Sequence, residues 1–233
     1  MDQYRFTPLL PGPDAIRLLR VLPNEIETAP VQCELINYSL RKLRKGTHLY
    51  EALSYVWGNP KETLPIFIGK QSLNVTTNLH AALVRLRDHF FERVLWIDSV
   101  CINQEDEREK EHQIQSMARI YSQATRVLVW LGEEANNSTQ ALEDIRSAAE
   151  NASTPLAESG TNQEAILKLL ERPWFRRVWV RQKIQSFSSK EIIKRYLDHS
   201  RSRRGSACFN HLRSHRDRRT RLLLRLQQLK PLL

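Results

Sequence analysis

In "LWIDSVCINQ", residues 95–104, an apolar run is followed by Asp98, Ser99, Cys101, Asn103 and Gln104 within seven positions, and Glu109 comes five residues later. Carboxylates, amides and a thiol are groups used in acid–base, electrostatic and nucleophilic catalysis. Cys101 has no histidine or other base nearby in sequence to activate it, so it fits a small buried apolar side chain better than a nucleophile. Asp98 has two readings. A carboxylate at the end of a buried strand is costly without partners, so it either bonds loop amides or serves a site. Asn103 and Gln104 are likewise caps of the next helix or ligand-binding amides. Ser54 and Trp57, in the hydrophobic segment before, invite the same question, although a lone tryptophan is more often core.

Other chemistries are disfavoured. The seven glycines do not cluster, so neither a dinucleotide fingerprint nor a phosphate-cradling loop is present, and GxSxG and HExxH are absent. Cys208, His211 and His215, with His199 as a fourth group, make one metal-like spacing. The paired cysteines of a zinc site are missing from it, and a disordered polar tail is the plainer reading.

The elements that must position the cluster alternate in type. "AIRLLRVLP" (15–23), "VQCELINYSL" (31–40) and "YEALSYVWG" (50–58) read as strands, with a solvated basic loop, "RKLRKGTH", before the third. "LPIFIGKQSLNV" suits a hairpin turning at Gly69-Lys70. Leu79, Ala82, Leu83, Leu86 and Phe90 recur at helical spacing over residues 78–92, with Asn78 as N-cap. "VLWIDSVCI" returns to strand composition. A helix then opens on five acidic residues in its first seven, where the helix dipole favours negative charge, and carries Ile114, Met117, Ile120 and Tyr121 as its buried stripe. "RVLVWLG" (126–132) is another strand; helical segments over 141–150 and 163–170 follow, and Val178–Val180 suits one more strand. Alternating strands and helices predict an α/β core with a parallel sheet. In such a sheet ligands gather beyond the carboxyl ends of the strands, which is where residues 98–104 fall.

Charge separates the chain into two parts. Of 36 Lys+Arg and 26 Asp+Glu, the last 53 residues hold 15 and 3, so the net charge of +10 belongs to the tail. The main body offers no field for steering polyanions, and nucleic acid is a partner only if the tail recruits it. Three scattered cysteines fit neither a disulfide framework nor a metal pair and favour a reducing setting. The N-terminus has an acidic second residue and repeated prolines, and no apolar stretch is long enough to cross a bilayer. The expectation is a cytoplasmic protein without a membrane partner.

"YEALSYVWG", "LWIDSVCINQ" with "EKEHQIQSMARIYSQATRVLVWLG", and "RPWFRRVWVRQ" resemble the three successive blocks of the heterokaryon incompatibility (HET) domain family of filamentous fungi, over residues 4–182. That resemblance implies a role in fungal non-self recognition and programmed cell death signalling. It also implies similarity to the TIR fold. The expected architecture is therefore α/β, a TIR- or flavodoxin-like parallel sheet with flanking helices, N-terminal β segments and a disordered basic C-terminal tail. Residues 1–49 would be lead-in strands and loop, 50–183 the heterokaryon incompatibility domain, and 184–233 an Arg-rich non-homologous tail. The TIR likeness makes NAD a candidate substrate, with no resident cofactor and no metal. Asp98 and Glu109 would be the catalytic carboxylates, and Ser54, Trp57, Asn103 and Gln104 the ligand-binding groups. Self-association or a partner incompatibility protein would complete the signal.

Two features depart from the family pattern. Its third block usually ends in Gln-Glu, whereas here Gln182 is followed by Lys183, which reverses the sign of any interaction made there. Past Lys183 the Arg- and Ser-rich composition cannot extend an α/β sheet. A shifted reading frame, an unspliced intron or a truncated gene would produce such a tail; an Arg-rich arm binding nucleic acid, or acting as a nuclear address, is the functional alternative. The competing readings of the whole are a non-catalytic interaction module and an inactive truncated family member.

Overall fold

The computed structural model describes residues 2–9, 12–40, 50–150 and 163–176. The chain divides at Gly132–Glu133 into two compact units. The first is built on seven strands: β1 (Ala15–Val21), β2 (Gln32–Ser39), β3 (Glu51–Ser54), β4 (Thr63–Ile68), β5 (Gln71–Thr76), β6 (Arg93–Trp96) and β7 (Arg126–Val129). They form one sheet in the order β5-β4-β2-β1-β6-β3-β7.

The sheet is mixed. β6, β3 and β7 run parallel, as the alternation of strands and helices predicts, and β2 also runs parallel to β4. β1 lies antiparallel to both β2 and β6, and β4 and β5 form the expected hairpin, with Gly69 at φ +62° in its turn. The expected α/β sheet with flanking helices is thus present, with a parallel trio at one side and the N-terminal strands and hairpin adding both parallel and antiparallel pairings. The N-terminal lead-in supplies two of the seven strands and fills the middle of the sheet. Its composition foretells this: Ile16, Leu18, Leu19 and Val21 of β1 are all buried, as a strand covered on both faces requires.

Helix α1 (Thr77–Leu86) buries Leu79, Ala82, Leu83 and Leu86. Its cap is Thr76, whose Oγ1 accepts from Leu79 N–H, and not Asn78 as the sequence suggested. The helix also stops earlier than expected. Arg87 is extended, and Phe90, counted into the buried stripe, is an exposed loop residue. Strand composition persists through "VLWIDSVCI", yet β6 ends at Trp96 and residues Asp98–Cys101 turn into the single-turn helix α2.

Helix α3 (Glu107–Gln123) begins at Asp106, whose carboxylate accepts from Arg108 and Glu109 N–H at 3.0 Å each. Neither Asn103 nor Gln104 caps it. The buried face is Gln113, Met117, Ile120 and Tyr121, and Ile114, expected in the stripe, stands half exposed beside it. Tyr121 OH donates to Leu53 O at 3.0 Å and Tyr50 OH to Ile120 O at 2.6 Å, which fastens the helix to the strand trio.

The second unit contains α4 (Ser138–Glu150), α5 (Gln163–Leu170) and a 3-10 turn, Pro173–Arg176. Ala165, Ile166, Leu169 and Trp174 are its buried apolar residues on α5 and the turn. The strand expected at 178–180, the Cys208, His211, His215 and His199 spacing and the basic tail lie outside the described residues. No described helix is long and apolar enough to cross a membrane.

Candidate functional site

Because β3, β6 and β7 are parallel, their carboxyl ends share one edge of the sheet, and three loops leave from it. Trp57, beyond β3, donates from Nε1 to Asp98 Oδ1 at 3.1 Å, and the same oxygen accepts from Ser99 N–H at 2.8 Å. Tyr55 OH and Ser99 Oγ lie 2.5 Å apart, a second link between the β3 and β6 loops. Asn78 joins the third: its Nδ2 donates to Val56 O at 2.5 Å, while its Oδ1 accepts from Trp130 Nε1 at 2.9 Å. Ser54 closes β3, and its carbonyl accepts from Trp130 N–H at 2.9 Å. Trp57 is 41% exposed, so of its two readings the core one does not apply: it stands at the rim with its indole oriented by a carboxylate.

One glycine makes this arrangement possible. Gly58 has φ +85°, and a Cβ there would lie 3.3 Å from Asn78 Cβ. The left-handed conformation costs an L side chain about 1–2 kcal/mol. Gly58→Ala is therefore expected to destabilise the chain by about that amount, read as a lower urea midpoint at unchanged slope.

Glu109 occupies a different setting. Arg17, 2% exposed on β1, donates from Nη1 to Glu109 Oε1 at 2.5 Å and from Nη2 to Oε2 at 3.0 Å. Asn103 N–H adds a third bond to Oε1 at 2.7 Å. The same guanidinium reaches Cys101 O at 3.3 Å and Thr7 O at 2.6 Å, with Phe6 beneath it at 5.3 Å. Glu109 continues the buried face of α3 one turn before Gln113, whose Nε2 donates to Ala15 O at 2.9 Å. Its carboxylate is thus a strut between α3 and β1, neutralised by a bidentate partner.

The remaining candidates hold the loop between the two carboxylates. Gln104 Nε2 donates to Asp98 O at 2.9 Å and Ile102 O at 3.3 Å, and Asn103 Oδ1 accepts from Glu105 N–H at 3.2 Å. Asp98 and Glu109 therefore belong to one continuous segment but have separate partners, Trp57 and Ser99 for the first, Arg17 and Asn103 for the second. Cys101 is 1% exposed, and burial pushes its thiol up to about 12; Cys33 is pushed equally high by the same cause. Neither forms appreciable thiolate at neutral pH, which suits the apolar reading of Cys101.

Sequence reasoning did not find Arg17, Tyr55 or Asn78. Arg17 had a weak signal, as one of two cations within the apolar run "AIRLLRV", and nothing in the run tells it apart from Arg20. Asn78 had none, since its role depends on where Val56 and Trp130 come together.

The fold and rim define an α/β domain with its polar loops gathered at the carboxyl edge of a parallel strand trio. Residues 50–183 match the family model for "Heterokaryon incompatibility protein (HET)", and the chain belongs to that family. It is also similar to "Heterokaryon incompatibility protein 6, OR allele" of Neurospora crassa, at 33% identity over 143 residues. The match covers 56% of this chain and 20% of that protein, so the chain corresponds to about a fifth of its relative. No solved structure matches the chain.

Proposed function

We propose that the chain acts in fungal heterokaryon incompatibility as a cytoplasmic cell-death signalling domain, and that its recognition surface is the rim centred on Trp57 and Asp98. Family membership and the name of the Neurospora relative support the biological role. The observation that carries the site is the half-exposed indole held at 3.1 Å by a carboxylate at the sheet's carboxyl edge. An aromatic face beside a fixed negative charge suits a flat, positively charged ring such as nicotinamide.

In this reading NAD is a substrate, cleaved as in TIR-like proteins. Water forms the new bond to ribosyl C1′ as the bond to nicotinamide breaks; nicotinamide leaves with the bonding electron pair and the water proton passes to solvent. Asp98 stabilises the positive charge that develops on the ribose. Glu109 is assigned a structural part, because both of its oxygens are engaged by Arg17. Expression with NAD measurement is the test. Asp98→Asn keeps the shape of the side chain and removes its charge, so cleavage should slow by about a hundredfold.

The second reading is a non-catalytic module that signals by self-association or by binding a partner incompatibility protein. The neutralised Glu109 favours it, since a single carboxylate is then left to do the work of two. Unchanged NAD with intact killing would exclude cleavage and leave this module. Killing unaffected by both Asp98→Asn and Trp57→Ala would exclude the rim in either role.

A further inference from the structure

We infer that the opposite end of the sheet from the Asp98 rim carries a docking surface for a basic amphipathic protein segment. Two loops meet there, residues 22–31 between β1 and β2 and residues 87–92 between α1 and β6. Three large apolar side chains stand out from them: Ile26 is 64% exposed, Phe90 70% and Phe91 75%. The other exposed large apolar residues among those described, Trp57, Leu64 and Ile114, are scattered and less exposed, at 41%, 41% and 50%.

These side chains are presented by a fixed scaffold. Arg87 turns inward, and its Nη1 donates to Ala29 O at 2.8 Å and Pro30 O at 3.2 Å, while its Nη2 donates to Ile26 O at 3.1 Å and Glu27 O at 2.7 Å. Asn24 N–H donates to Asp88 O at 3.1 Å, which ties the second loop to the first. Asp88 Oδ1 in turn accepts from Phe90 N–H at 2.8 Å and Phe91 N–H at 3.1 Å, setting the tight turn that puts both rings outward. The ordering cost that usually opposes binding by a loop is therefore already met within the fold.

Charge identifies the partner. Residues 24–30 contain Glu25 and Glu27, residues 88–92 contain Asp88 and Glu92 beside His89, and neither stretch contains a lysine or arginine. Hydrogen bonds from Phe90 and Phe91 hold the Asp88 carboxyl below its usual range, so it stays ionised. Adjacent guanidiniums have partners: Arg93 has Glu51 at 3.4 Å, and Arg20 has Glu34 at 2.9 Å and Glu92 at 3.5 Å, so Glu92 adds no net charge to the patch, while Arg87 keeps its charge but is turned inward onto four carbonyls. Arg85, exposed on the last turn of α1, is the exception. Apolar anchors framed by carboxylates complement a helix with an aliphatic face flanked by lysine or arginine. The same carboxylates repel an anionic lipid surface.

The test uses the full chain and three probes: a synthetic leucine–lysine amphipathic helix, its leucine–glutamate counterpart, and phosphatidylserine vesicles. The basic helix should bind, as read by fluorescence anisotropy, and the acidic helix should not. The double variant F90S/F91S should weaken binding of the basic helix about tenfold, as for loss of a central anchor. Glu25→Lys with Glu27→Lys should weaken it comparably, with a reduced salt dependence. All four positions are exposed, so an unchanged thermal melt certifies the variants as folded. Equal binding of the basic helix by wild type and both variants would overturn the inference. So would a preference for the acidic helix, or for vesicles.

Discussion

Glu109→Ala is expected to lower the free energy of unfolding by about 3–5 kcal/mol, the cost of removing one partner from a buried ion pair. The Arg17 and Glu109 side chains are 3% and 8% exposed, so neither is rescued by solvent when the other is lost. Arg17 would keep its bonds to Thr7 and Cys101 carbonyls but carry an uncompensated charge between β1 and α3. Against a typical total of about 5–15 kcal/mol this is a large share. Urea denaturation is the measurement, and a change below about 0.5 kcal/mol would show that the pair contributes no more than a surface ion pair. Arg17→Met combined with Glu109→Leu should be less damaging than Glu109→Ala alone, because the double change leaves no stranded charge. Loss of function in Glu109→Ala must therefore be read beside its urea midpoint, whereas Asp98→Asn leaves the Arg17–Glu109 pair in place and tests the carboxylate at the rim.

Arg87→Met should cost about 3 kcal/mol, the loss of several charge-assisted bonds that do not add fully. The side chain is 8% exposed and serves four carbonyls of one loop. Methionine can fill the space and satisfies none of them. Residues 24–30 should then exchange their amide hydrogens faster, while the α1 interior, which closes on its own backbone, keeps its protection relative to the global unfolding limit. A second readout is His80, whose proton affinity is lowered first by burial and second by Arg87. Without the guanidinium its titration should move back toward the ordinary histidine range; no movement would place Arg87 outside the field His80 feels. The same variant should weaken the basic-helix binding proposed above, since Ile26 loses its support.

The strands and helices were legible wherever apolar periodicity ran unbroken. β1, the β4–β5 hairpin, α1 and α3 follow from spacing and turn chemistry alone, and so does the α/β class. Sequence and structure part at the ends of elements. Phe90 fits the stripe of α1 by number, but the chain leaves the helix at Arg87, which becomes extended to reach the neighbouring loop. Ile114 fits α3 by hydropathy, yet the buried face is set one residue away by Gln113, whose amide is satisfied by Ala15 O. A polar residue can win a buried position when a backbone carbonyl awaits it, and composition does not display that carbonyl.

The candidate site divides in the same way. That polar groups cluster after the Trp96 strand, and that a parallel α/β layer places such groups at its carboxyl edge, could be read from residue order, because strand polarity follows from alternation with helices. The antiparallel insertion of β1 beside β6 was not legible, and it brings Arg17 to Glu109, where the guanidinium engages both carboxylate oxygens. Nor was the contact of Trp57 with Asp98, 41 positions apart. Sequence determines local periodicity, turn preference and the identity of the charges. Which charge neutralises which is decided only when strands distant in the chain become neighbours, since Coulomb and hydrogen-bond energies depend on separation in space and not on separation along the chain.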